Sequence, residues 1–217
     1  MNPALIELII LAGIAVFLFL RLRSVLGTRE GFEKPRMQPK NDTPKRDFKV
    51  IDGGEDKDIT DNVEKNSKSA KALKTIKEKD ETFTVNEFLS GARSAYEWIL
   101  MSFEKNEIDD IRELLSEEVA EAFDSVVEQR ISQGLTIEAE FIGVREMKLV
   151  DASYNSKTKT AEIAVSFIGE MTSVVKNSSG EIVEGDSKQI KRQKDTWTFS
   201  KDILSDNPNW ILVATGE

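Results

Sequence analysis

The spacing of apolar residues changes from helical to alternating at Gly134, and that change dictates the fold class. Before it, Val85, Phe88, Leu89, Ala92, Tyr96, Ile99 and Phe103 recur at three- and four-residue intervals, the pattern of one buried helix face. After it, Leu135, Ile137, Ala139 and Phe141 alternate, as do Ala161, Ile163, Val165 and Phe167. Alternation puts every second side chain on one face of a strand. Helices first and strands afterwards predict an α+β domain, with a long helix covering one face of a sheet.

The start of that domain is marked by a capping box, Thr84-Val85-Asn86-Glu87, with Phe83 and Phe88 at the spacing of a hydrophobic staple. The helix is expected from residue 85 to about 105. Trp98 falls well off its apolar arc and is a candidate surface contact. Ile108, Ile111, Leu114 and Leu115 form a short apolar stripe. Ser116 caps a third helix whose buried face is expected to be Val119, Phe123, Val126, Val127 and Ile131, ended by Gly134. The acids around it, Asp109, Asp110, Glu117, Glu118 and Glu121, read as helix-start charges on a solvated face.

Four strands follow. The alternation slips near Gly143, which predicts a bulge or bend. Polar turns at Tyr154–Lys157, Asn177–Gly180 and Asn207–Asn209 separate a second strand running to about Val175, a third from Ile190 to Lys201, and a fourth at Trp210–Val213. Short turns between neighbours predict a curved antiparallel meander.

A second constraint sits at the N-terminus. Leu8–Leu20 is an unbroken apolar run, and residues 3–20 carry one charge, Glu7. As a helix they would span about 27 Å, close to the ~30 Å hydrocarbon core. The first seven residues have no cationic side chain, and Arg21 and Arg23 follow the run directly, which disfavours a cleaved signal peptide. Arg21, Arg23 and Arg29 on one side only predict an outside N-terminus and a cytoplasmic C-terminal bulk. Three regions result: a transmembrane anchor at 1–26, a disordered charged linker at 27–66 and a folded domain at 67–217. Asp56, Asp58 and Asp61 lie in the linker and read as solvated acid, since they lack the glycine and terminal glutamate of a calcium loop. Residues 67–79 suggest a short basic helix that needs a surface, either anionic lipid or the folded domain.

Composition then removes whole classes of chemistry. The chain has no His and no Cys, which excludes disulfides, thiolate nucleophiles, Cys/His zinc sites and His-dependent triads. No Asp is expected on an inward strand phase. No cofactor or metal site is expected either. The net charge is -9, and residues 83–217 hold fourteen Lys and Arg against twenty-five Asp and Glu, which argues against nucleic-acid binding.

Near the C-terminus the residues become recognisable. Asp195-x-Trp197-x-Phe199-x-Lys201 followed by Asn207-Pro208-Asn209-Trp210-x-Leu212 resembles the signature of the Tim44-like domain. Phe83-x-x-x-x-Phe88-Leu89-x-Gly91-Ala92 and Gly180-Glu181-Ile182-Val183-x-Gly185-Asp186 are similar to it too. Thr84 and Lys201 stand where the family pattern has Asp and Arg. The resemblance implies a cone-like fold of the nuclear-transport-factor-two type with an apolar pocket between curved sheet and long helix. It also implies a membrane-associated scaffold or adaptor in protein transport or membrane-protein biogenesis, here at a bacterial inner membrane. Phe88, Tyr96, Ile99, Phe167, Trp197, Phe199 and Trp210 are the residues expected either to line that pocket or to close into a core. Strands too long for one covering helix favour the pocket. The expected partners are the lipid bilayer, with anionic lipid a candidate contact, and an unidentified protein. An apolar-ligand or lipid-binding module is the alternative, and an enzyme the least favoured.

Overall fold

The structure, a computed structural model, describes residues 56–205 and 207–216. The expected anchor at 1–26, linker residues 27–55 and the orienting Arg21, Arg23 and Arg29 lie outside the described residues. Among the described residues no helix is long and apolar enough to cross a membrane.

Helices come first: α1 (Lys57–Thr60), α2 (Lys68–Lys79), α3 (Val85–Glu104), a 3-10 helix (Ile108–Leu114) and α4 (Glu117–Ser132). The strands β1 (Thr136–Asn155), β2 (Thr160–Lys176), β3 (Ile182–Asp202) and β4 (Ile211–Gly216) then form one antiparallel sheet in the order β1-β2-β3-β4. The α+β class and the four-stranded meander are as the sequence predicts.

Each α-helix starts where a side chain satisfies a free N–H group. Ser67 accepts from Ala70 N at the start of α2, Thr84 from Glu87 N at α3, and Ser116 from Val119 N at α4. Gly134, at φ +67°, ends α4 in the left-handed conformation that a side chain would strain. Arg130 of α4 ties it to the end of α3: it donates to Phe103 O at 2.9 Å and lies 4.3 Å above the Phe103 ring.

The folded unit begins earlier than the sequence suggests. Residues 56–66, placed by composition in the linker, include α1, and Ile59 is buried in the core. Asp58 is not solvated acid. Its carboxylate accepts from Val85 N at 2.8 Å and Asn86 N at 3.0 Å, the first free N–H groups of α3, and from Lys77 Nζ at 2.9 Å. Composition misses this because one isoleucine and one aspartate do the tethering. The surface that α2 needs is also on this domain: Leu73 and Ile76 are fully buried in its core.

Two further expectations are corrected. On α4, Val119 and Val127 are buried, but Val126 and Ile131 are exposed, so the covered face is narrower. Strand β3 starts at Ile182 rather than Ile190. The bend anticipated near Gly143 is present as a register shift between Phe141 and Gly143, with two more at Val144/Glu146 and Leu149/Asp151.

The alternation of β2 explains where the core sits. Ala161, Ile163, Val165, Phe167 and Met171 are buried on one face, under the helices, while Glu162, Ala164, Ser166, Ile168 and Glu170 point the other way. At ~3.3 Å per residue the 21-residue β3 greatly exceeds the ~30 Å of the 20-residue α3. The surplus is an exposed arm: every residue from Ile182 to Lys194 is exposed, and burial begins at Asp195. Strand length in excess of the covering helix is thus spent on solvent-facing sheet.

Candidate functional site

The residues singled out by sequence converge, in two groups. Tyr96, Ile99, Phe167, Trp197 and Phe199 are all buried at 4% exposure or less. The Tyr96 ring stacks on Phe167 with centroids 4.4 Å apart and meets Trp197 at 4.7 Å. These side chains fill the space between α3 and the sheet by packing on one another. Trp98 is 52% exposed, on the side of α3 turned from the sheet.

At the centre of this group lies a polar contact. The Tyr96 hydroxyl donates to Asp195 Oδ2 at 2.5 Å, and Gln193 Nε2 donates to Asp195 Oδ1 at 3.0 Å. Asp195 is 8% exposed. This overturns the expectation that no Asp takes an inward phase: Asp195 shares parity with Trp197 and Phe199, and that parity was the signal available in the sequence. Burial, then the hydrogen bond and charge of Asp195, push the Tyr96 phenol far above its usual value, so it remains a neutral donor. Gly169 makes room for it, since a Cβ there would lie 2.6 Å from the Tyr96 hydroxyl oxygen.

The second group reaches the surface through Trp210, while Phe83 and Phe88 are each 7% exposed. Phe83, Phe88 and Trp210 form an aromatic cluster, with Phe88 4.8 Å and Phe83 5.8 Å from Trp210 between ring centroids. Phe88 also meets Phe199 edge-on at 6.0 Å, which joins this cluster to the core. Trp210 is only half-buried. Beside it runs an open groove of about 350 Å³, walled by Phe83, Phe88, Ala92, Ala95, Leu114 and Trp210. Of the seven expected residues, Phe88, Phe199 and Trp210 border this groove, and Tyr96, Ile99, Phe167 and Trp197 do not.

The sequence model of the Tim44-like domain matches residues 69–217, more than half of the chain. The chain belongs to the Tim44-like domain family. That family is membrane-associated. No curated protein matches the sequence significantly. Among solved structures, the intermembrane space region of the chloroplast protein ARC6 is similar over 59% of this chain and 94% of that one, at 8% identity and a TM-score of 0.40, too weak a likeness to build on.

The mouth of the groove in this Tim44-like domain is held by a charged pair. Lys201 Nζ donates to Asp80 Oδ2 at 3.1 Å, with both side chains largely buried. Asp80 also accepts from the backbone N–H and hydroxyl of Thr82, at 3.0 and 2.6 Å. Burial alone would raise the Asp80 carboxyl, but Thr82 and Lys201 outweigh it and hold it below the usual range. The pair fixes the α2–α3 turn, and hence Phe83, against the end of β3. Lys201 belongs to the recognised signature, yet its partner Asp80 is 121 residues away and carries no local pattern.

Proposed function

We propose that this Tim44-like domain is the working part of a membrane-tethered, non-enzymatic adaptor, and that the open aromatic groove is where a partner polypeptide docks. The observation that carries it is the half-buried Trp210 at the edge of the groove, packed on the buried Phe83 and Phe88. Buried aromatic anchors dominate protein interfaces, and a wall already braced by Phe199 and by Asp80–Lys201 loses little freedom on binding. The domain is of the cone-like nuclear-transport-factor-two type, and the apolar run at residues 4–20 anchors it with the N-terminus outside and the domain in the cytoplasm of a bacterial cell. The one-sided Arg21, Arg23 and Arg29 support that orientation. Its work belongs to protein transport or membrane-protein biogenesis.

Two measurements test this. Protease added to intact spheroplasts leaves the domain uncut if the orientation holds; efficient digestion refutes it. Affinity purification from detergent-solubilised membranes yields a stoichiometric protein that Trp210→Ala loses. Lipid alone, co-purifying in proportion to the chain and lost with the same substitution, would instead make the groove an apolar-ligand site.

A further inference from the structure

The sheet of this acidic domain carries a cationic patch on the face turned away from the helices. Glu170 of β2 accepts from Arg192 Nε at 2.9 Å and pairs with Arg145 Nη1 at 3.4 Å, which places both arginines on that face. Glu146 pairs with Lys148 at 2.6 Å. Lys194 lies opposite Ile168, which lies opposite Glu146. Four cations therefore surround two carboxylates. Both carboxyls are held below their usual range, Glu146 first by Lys148 and Glu170 first by Arg192.

The patch continues along the exposed arm of β3. Residues 187–194 contain four Lys and Arg and no acid, within a region of strong acidic excess; Lys191, opposite the inward Met171, pairs with Glu184, and the other three are available to the patch. The ladder there is bulged: Met171 faces Lys191 and Ser173 faces Asp186, so β3 takes five steps where β2 takes two. Gly185, at φ +84°, permits the turn into the bulge, since a Cβ there would lie 2.1 Å from Ser173 O. The extra residues push Ile190 outward, 54% exposed and flanked by Lys188 and Lys191. Ile142 and Val150 on β1 are also about half exposed.

We propose that this face and the bulged arm form a docking surface for an anionic bilayer, with Ile190 entering the interface and the surrounding cations contacting lipid phosphates. Two features favour lipid over an acidic protein. The exposed aliphatic side chains are scattered among cations rather than gathered in a complementary groove, as at an interface that must sit between headgroups and acyl chains. The bulge and the lysines also spoil β3 as an edge for an incoming strand. The patch turns the sheet face, rather than the acidic helix α4, toward a negatively charged membrane. This deepens the tethered-adaptor reading and rests on it.

The absence of cysteine makes the test clean. The full chain with Ile190→Cys carries an environment-sensitive fluorophore and is reconstituted in phosphatidylcholine vesicles with or without phosphatidylglycerol. The expected result is a blue shift, and quenching by nitroxide-labelled lipid, only with phosphatidylglycerol. High salt should reverse both. Neutralising Lys148, Arg192 and Lys194 should weaken the contact about fivefold per cation. A label at Glu128→Cys on α4 should stay water-like. A probe at 190 that stays water-like in both lipids, or one matched by the label at 128, overturns the proposal and leaves an acidic protein as the occupant. Flotation separates this from the tether: a chain that floats with either lipid has its anchor. A chain that floats only with phosphatidylglycerol lacks the anchor but keeps the surface. One that floats with neither refutes both.

Discussion

Tyr96 and Asp195, 99 residues apart in sequence, meet inside the core through a hydrogen bond of 2.5 Å. The contact joins the middle of α3 to β3 at the residue where the strand passes from exposed arm to buried body. Removing the donor with Tyr96→Phe preserves the ring stacked on Phe167 but deprives a buried carboxylate of one partner. A hydrogen bond to a charged group contributes roughly 1.5–3 kcal/mol, so a loss of that size is expected. It should appear as a lower denaturation midpoint in urea with an unchanged slope. The phenol's raised pKa adds a pH signature. Its stabilisation is complete below the unfolded value near 10 and is lost as pH rises beyond it. Tyr96→Phe should therefore be less sensitive than wild type to pH above 10; equal alkaline sensitivity would sink this account.

Gly169 is the space that the Tyr96 hydroxyl occupies. With a Cβ 2.6 Å from that oxygen and 3.1 Å from Cε1, Gly169→Ala must displace the ring or the strand. Overpacking of this kind costs about 1–3 kcal/mol. Because both substitutions act on one contact, Gly169→Ala combined with Tyr96→Phe should destabilise less than the sum of the two. Strict additivity in a double-mutant cycle would show that the glycine serves something other than the tyrosine.

Much of this architecture was legible in the sequence, for reasons that differ by element. The caps at Thr84 and Ser116 and the alternation of β2 are local, and local chemistry decides them. The aromatic set was legible as a set, because parity puts Trp197 and Phe199 on one face and helical spacing puts Phe88, Tyr96 and Ile99 on another. Whether it enclosed a void was not, since that depends on how the faces approach. Tyr96 against Phe167 and Trp197 closes the centre, and the groove lies at the Phe83–Phe88–Trp210 end. Asp195 was readable from its parity but was obscured by the expectation that carboxylates face water. Asp58 and Asp80 were not readable, because their partners Val85, Asn86 and Lys201 are distant in sequence and charge pairing leaves no period.

Asp58 offers a pH test. Burial would raise its carboxyl, but the N–H of Val85, Lys77 and the N–H of Asn86 together hold it below its ordinary value. The stability it supplies is present above the unfolded pKa near 4 and is lost as pH falls below that. Asp58→Asn removes the charge at the start of α3, where capping contributes roughly 0.5–2 kcal/mol. The variant should melt below wild type at pH 7, and the gap should shrink toward pH 3. A gap of constant size across that range would mean that the carboxylate acts through shape alone.

Trp197 and Trp210 come from the same signature yet sit in different environments, and the contrast separates core from groove. Trp197 is 4% exposed and contacts Tyr96, Phe167 and Phe199, so Trp197→Ala should cost about 3–5 kcal/mol. Trp210 is half-buried and rests on Phe83 and Phe88 at the groove's edge. Its truncation removes contacts on one side of the ring only, and the groove beside it already admits solvent, so no sealed cavity forms. Trp210→Ala should lower the melting temperature far less than Trp197→Ala while abolishing capture of the groove's partner. Leu114→Ala, which also lines the groove, should weaken the same capture without affecting the Tyr96–Asp195 contact. If Trp210→Ala destabilises the domain as severely as Trp197→Ala, and a refolded sample still retains its partner, the tryptophan is structural and the docking surface lies elsewhere.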